Sequence, residues 1–130
     1  MSVAVIHNYS DEGRRALAAG KREARDRETE LVVIHALSGF TEARVQAQEF
    51  VAIEMAVHAL APEARVAVAM PDPDATSTLV ALVEKVDAEV VIIGSRDRSA
   101  AGKFVVGHAV QERLLQKSVE ILLVERELAL

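Results

Sequence analysis

Three observations predict an α/β fold built on an open parallel sheet. Five short apolar runs rich in β-branched residues recur along the chain. Segments with apolar residues three and four apart separate them, the spacing of a buried helix face. At 130 residues the chain has the length of one compact domain, with about half its residues (51%) hydrophobic and available for a core. Strands that alternate with helices imply right-handed crossovers and a parallel sheet covered by helices on both faces.

The first run, SVAVIH at 2–7, reads as a strand that stops at Asn8, Tyr9 and Ser10. Ser10 followed by Asp11 and Glu12 is an N-cap with first-turn acids, which opens a helix over about 11–26. Its apolar side is Leu17, Gly20 and Ala24, where Gly20 permits close approach to the sheet, and Arg22–Asp26 and Glu23–Arg27 are i,i+4 pairs on the wet side. LVVIHAL at 31–37 is the second strand, and Thr41 caps a second helix in which Phe50, Ile53, Val57 and Leu60 form the expected buried stripe. Pro62 ends that helix, ARVAVAM at 64–70 is the third strand, and Pro71 and Pro73 make a stiff connection to a third helix marked by Leu79, Leu82, Val83 and Val86. AEVVIIG at 88–94 is the most continuous apolar run, as a central parallel strand requires. A fourth helix over about 107–117, with Val110 and Leu114 inward, and a fifth strand, VEILLVE at 119–125, complete the pattern.

Composition limits the partners. Aromatic residues are 3% of the chain, too few for the stacking platforms that grip single-stranded nucleic acid, and a net charge of -5 opposes a phosphate-backbone partner. No nucleic acid is expected. The absence of cysteine removes disulfide and thiolate-metal chemistry. No run approaches the length of a membrane span, so a cytoplasmic protein without membrane contact is expected.

The segment GSRDRSAAGKFVVGH at 94–108 carries the chemistry. Ligands of such sheets sit beyond the strand C-termini where the strand order reverses. If the first strand is central, that point lies between strands one and four and brings His7 and Asn8 beside Gly94. The segment is not a P-loop, because Gly102 and Lys103 are followed by Phe104 where a magnesium-binding hydroxyl is needed. It is not the dinucleotide fingerprint, which should open the first helix, where HNYSDEG has a single glycine. Carboxylates for a receiver-type magnesium site are missing at the end of strand one, and no Ser, His and acid constellation supports a catalytic mechanism. His35 and His58 read as structural, and no metal site is expected.

With Gly94 leaving the central strand and Gly107 opening a helix, the frame resembles the universal stress protein family over essentially the whole chain. The order of elements, the GSR that begins the segment and the Q-E-R-L-L of the fourth helix carry the resemblance. Nucleotide-binding members of that family carry G-x-x-G, nine residues, then G followed by Ser or Thr. Gly94 and Gly107 match the first and third glycines. The resemblance implies a single domain over 1–130, a five-stranded sheet in order 3-2-1-4-5, and a site at which Gly94 lets the backbone approach ribose and phosphates. The amides near Gly107, His108 and Ala109 would form the electropositive start of the fourth helix.

Three positions depart from the nucleotide-binding pattern. Asp97 stands at the second glycine, His108 at the Ser or Thr, and His7 where the family often has an aspartate at the end of strand one. A carboxylate about 4 Å from a phosphate charge costs roughly 1 kcal/mol in water and about 4 kcal/mol at an effective dielectric of 20. Arg96, Arg98 and Lys103, with Ser95 beside them, supply compensating charge and donors only if they turn inward. The expected role is therefore a stress-response or regulatory binding module with a degenerate adenine-nucleotide site, requiring no cofactor and performing no catalysis. One alternative is a working site for ATP or AMP with magnesium and weak ATP hydrolysis. Another is a protein-interaction module without a small-molecule ligand. The resemblance also implies a homodimer paired through Ile121, Leu122, Leu123 and Val124 of the fifth strand.

Overall fold

A computed structural model describes residues 1–6, 11–36, 43–69, 75–95, 112–117 and 119–125. Five parallel strands, β1 (Ser2–Ile6), β2 (Glu30–Ala36), β3 (Arg65–Ala69), β4 (Ala88–Ser95) and β5 (Glu120–Glu125), form one sheet in the order β3-β2-β1-β4-β5. Among the described residues, α1 (Asp11–Asp26), α2 (Ala43–Leu60) and α3 (Ala75–Lys85) connect them. Of the expected fourth helix, residues 112–114 are helical and 115–117 form a turn, while its start and Val110 lie outside the described residues.

The chain moves from β1 toward β3 and then returns past β1 to β4, so right-handed crossovers put α1 and α2 on one face and α3 on the other. Two cores result. Under α1 and α2, Leu17 and Ala24 pack with Ile53 and Val57 on Val5, Val33 and Ile92. Under α3, Leu79 and Val83 pack with Leu114 on Ala4, Val32 and Val91. Alternate residues of β1 and β4 feed the two cores, which is why both strands read as unbroken apolar runs.

α1 sits close to the sheet because Gly20 has no side chain. A Cβ there would overlap Val5 Cγ2 and come within 3.2 Å of Leu31 Cδ1. α1 ends in a Schellman motif, with Glu28 N–H donating to the Arg25 carbonyl and Thr29 N–H to the Ala24 carbonyl, and Glu28 takes the left-handed conformation at φ 52°.

The expected stripe of α2 needs correction. Ile53 and Val57 are fully buried, Phe50 is half-buried, and Leu60 is 49% exposed. Ala61 lies four residues beyond Val57, follows it in the same helical row and is fully buried, which rotates Leu60 off the core-facing side. Thr41, the expected cap, lies outside the described residues.

Candidate functional site

The sheet order puts the reversal of chain direction between β1 and β4. The two strands are parallel neighbours, with Ile6 opposite Ile93, so their carboxyl ends finish side by side. β4 runs one and two residues further, and there Gly94 pairs with Val124 and Ser95 with Glu125 of β5. Gly94 is buried. A parallel sheet leaves a crevice at such a point, because the connections from the two adjacent strands leave toward opposite faces. Near these strand ends Ile93 and Ile34 are buried, and Ile6 is partly buried against the same core.

Gly94 lies where the sequence expects it, at the end of the strand next to β1, whereas Ser95, expected in the segment after the strand, is the last residue of β4. His7, Asn8, Arg96, Asp97, Arg98, Lys103, Gly107, His108 and Ala109 lie outside the described residues. What the fold fixes is the frame from which these residues depart. The chain leaves β1 after Ile6 and β4 after Ser95, next to each other and at the same end of the sheet.

The histidines of β2 and α2 have structural partners. His35 is buried, with Nε2 3.7 Å from Glu49 Oε1 of α2. His58 Nε2 lies 2.9 Å from the Ala64 carbonyl and ties the end of α2 to the start of β3. Among the described residues, no group of three or more His, Asp or Glu is arranged to hold a metal ion, and no helix is long and apolar enough to cross a membrane.

The opposite end of the sheet is closed by charge. Arg27 Nε is 3.0 Å from Glu23, its Nη2 3.1 Å from Glu120 at the start of β5, and its Nη1 3.8 Å from Glu89 of β4. The hydrogen bonds that Arg27 donates to Glu23, and then to Glu120, raise its pKa above its ordinary value. The sequence pattern shows the Glu23 partner through i,i+4 spacing; the strand partners become visible only when β4 and β5 lie side by side. Near this end, a depression of about 490 Å³ opens beside α1, lined among others by Lys21, Ala24, Arg25, Leu31 and Glu63. No motif announces it, because its walls come from α1, β2 and the turn after α2.

The fold defines a doubly wound α/β protein whose β1 and β4 end side by side where the strand order reverses. A sequence profile of the Universal stress protein family matches residues 1–124, and the chain belongs to that family. It is 33% identical over 127 residues to a universal stress protein of Mycolicibacterium smegmatis, covering 93% of this chain and 96% of that protein. Among solved structures, a universal stress protein from Archaeoglobus fulgidus superposes with a TM-score of 0.72 at 24% identity, over 95% of this chain and 98% of that one. A universal stress protein from the same organism, in complex with dAMP, gives a TM-score of 0.68 at 20% identity, over 95% and 97% of the two chains.

Proposed function

We propose that the chain is a cytoplasmic stress-response or regulatory binding module whose β1–β4 crevice is a degenerate adenine-nucleotide site. The observation that carries this reading is the adjacency of the two strand ends, with buried Gly94 at the exit of β4 next to the exit of β1. That position is where a nucleotide would meet the segment 94–108, and a relative of the same fold was solved with dAMP. Asp97 sets a negative charge into a segment that would face phosphates, while His108 and His7 replace a hydroxyl and a fixed acceptor. Binding of ATP or AMP, with or without magnesium, is weak in this reading, and turnover is absent.

Thermal unfolding with millimolar ATP, ADP, AMP and cyclic AMP, each with magnesium, tests it. A ligand at about 100 times its dissociation constant adds roughly 2.7 kcal/mol of stability and several degrees to Tm. The degenerate site predicts little shift for the natural chain and at least about a tenfold gain in affinity for Asp97→Gly with His108→Ser, an increment of about 1.4 kcal/mol. A large shift with the natural chain would favour a working site, in which Arg96, Arg98 and Lys103 outweigh Asp97. Failure of the double variant to gain affinity would favour a module that works through protein contacts alone.

The same reading makes the protein a homodimer. β5 is the last strand of the sheet order, no described residue pairs with its outer side, and it carries Ile121, Leu122, Leu123 and Val124, of which Leu123 is 46% exposed. Such an edge is a template for pairing with its twin. Light scattering at micromolar concentration should give the mass of two chains; a single-chain mass would remove the dimer from the proposal.

A further inference from the structure

Two features of the described residues meet at one edge of the sheet. The first is β5 itself. Leu122 and Val124 pack toward the core under α1 and α2, and Ile121 toward the core under α3, so the strand alternates between the two faces. Leu123 shares the face of Ile121 and, at 46% exposed, is left uncovered by the fold of one chain. The second is the cluster of charge at the start of β5. Glu23, Glu89 and Glu120 share the Arg27 guanidinium there, so carboxylates outnumber cations, and the Glu120 side chain is 59% exposed. Strand alternation puts Glu120 on the α1 face, the face of Arg27. An exposed acid in a cluster with excess negative charge attracts a further cation.

We infer that two copies of the chain pair along β5 with Leu123 on the two-fold axis, so that Arg126 of each copy stands opposite Glu120 of the other. This rests on the homodimer proposed above and specifies its register. Two sheets joined edge to edge by a two-fold axis keep each face on its own side, and identical antiparallel strands then cross at a residue, not between two. Centring on Glu120 or Glu125 sets like charges directly opposite, which is unfavourable. Ile121 or Val124 as the centre leaves half of the six-residue strand unpaired. Leu122 and Leu123 remain. The Leu122 register sets Glu120 against Val124 and Glu125 against Val119, two acids facing aliphatic residues. The Leu123 register sets Leu123 against itself and Leu122 against Val124, and only Glu125 meets an apolar residue, Ile121. Carried one position further, it matches Glu120 with Arg126 of the second copy, while positions 125 and 127, both glutamate, belong to the opposite face of such a ladder. Glu120 then lies between Arg27 of its own chain and Arg126 of its twin, and the pair occurs twice in the dimer.

The chain has no cysteine, so a single introduced thiol reports its own position. Cα atoms directly opposite in an antiparallel pair are about 4.5–5.5 Å apart, within reach of a disulfide, whereas twins displaced by two residues along the ladder lie beyond about 7 Å. Under mild copper–phenanthroline oxidation, Leu123→Cys should form a disulfide-linked dimer at least about tenfold faster than Leu122→Cys or Val124→Cys, with all three folded by circular dichroism. Equal or faster linking at position 122 or 124, or a two-chain mass by light scattering without linking at 123, overturns this register and leaves the homodimer standing. A single-chain mass with no linking of any variant removes both. In sedimentation velocity, Glu120→Gln and Arg126→Gln should each weaken the dimer about fivefold or more, and the double variant no further than the weaker of the two singles. Fully additive losses, or no loss from either, overturn the ion pair.

Discussion

α1 and α2 cover the same core, yet they are held to it and exposed to solvent in different ways. α1 lies low on β1 and β4, where Gly20 admits Val5, and its far end is fastened by Arg27 to three glutamates on α1, β4 and β5. α2 crosses toward the edge strand β3, is anchored by the row Ile53, Val57 and Ala61, and turns an apolar side outward. A helix with polar residues on its outer side is finished when it packs. On α2 the exposed positions include Val51, Met55 and Leu60 beside Arg44 and Gln48, so over one core the two helices present different chemistry to solvent.

The largest effect that sharpens this contrast is expected from Ile53→Ala. Removing the fully buried side chain should cost about 3 kcal/mol in urea unfolding, since the cavity adds to the lost transfer energy. A cost below about 1 kcal/mol would mean that α2 is not held by its buried row. Gly20→Ala comes next. On an isolated helix that change gains about 1 kcal/mol, but crowding against Val5 should outweigh it and leave a net loss of about 1–2 kcal/mol. A net gain would show that α1 can lift from the sheet. Arg27→Met should lower Tm only slightly, with the deficit shrinking in high salt, because the pairs are partly exposed. Met55→Asp should change stability by no more than about 0.5 kcal/mol, as expected of an outward position without a packing role.

Most of the fold was legible because each strand is a short β-branched run and each break carries its own chemistry. β4 is the clearest instance: Val90, Val91, Ile92 and Ile93 are buried on both faces, as their unbroken hydrophobicity implies. α2 was less legible for the opposite reason. With apolar residues on more than one side, spacing alone does not tell the buried row from the exposed one, and the stripe it predicts places Leu60 inward where the structure exposes it. At the candidate site, Gly94 and its place beside β1 follow from the alternation of strands and helices. The polar positions after Ser95 and around His108 were read from local motif spacing and lie outside the described residues. Long-range partners such as Glu89 and Glu120 of Arg27 leave no mark in a local pattern, because the sheet alone brings them together.

A ribosome releases β1 well before β4. The hydroxyl of Ser2 donates to the Val86 carbonyl at 2.7 Å, across 84 positions of chain, and Ile6 finds Ile93 at the other end of the same pairing. While the chain is being made, β1 can join β2, and β2 can join β3, but the second edge of β1 stays open until β4 has emerged. Contacts so distant in sequence form slowly and leave an apolar edge uncovered in the meantime. The crevice between β1 and β4 therefore exists only once β4 has been made, and no ribosome-bound fragment that ends before β4 can have it, however well its first three strands are packed.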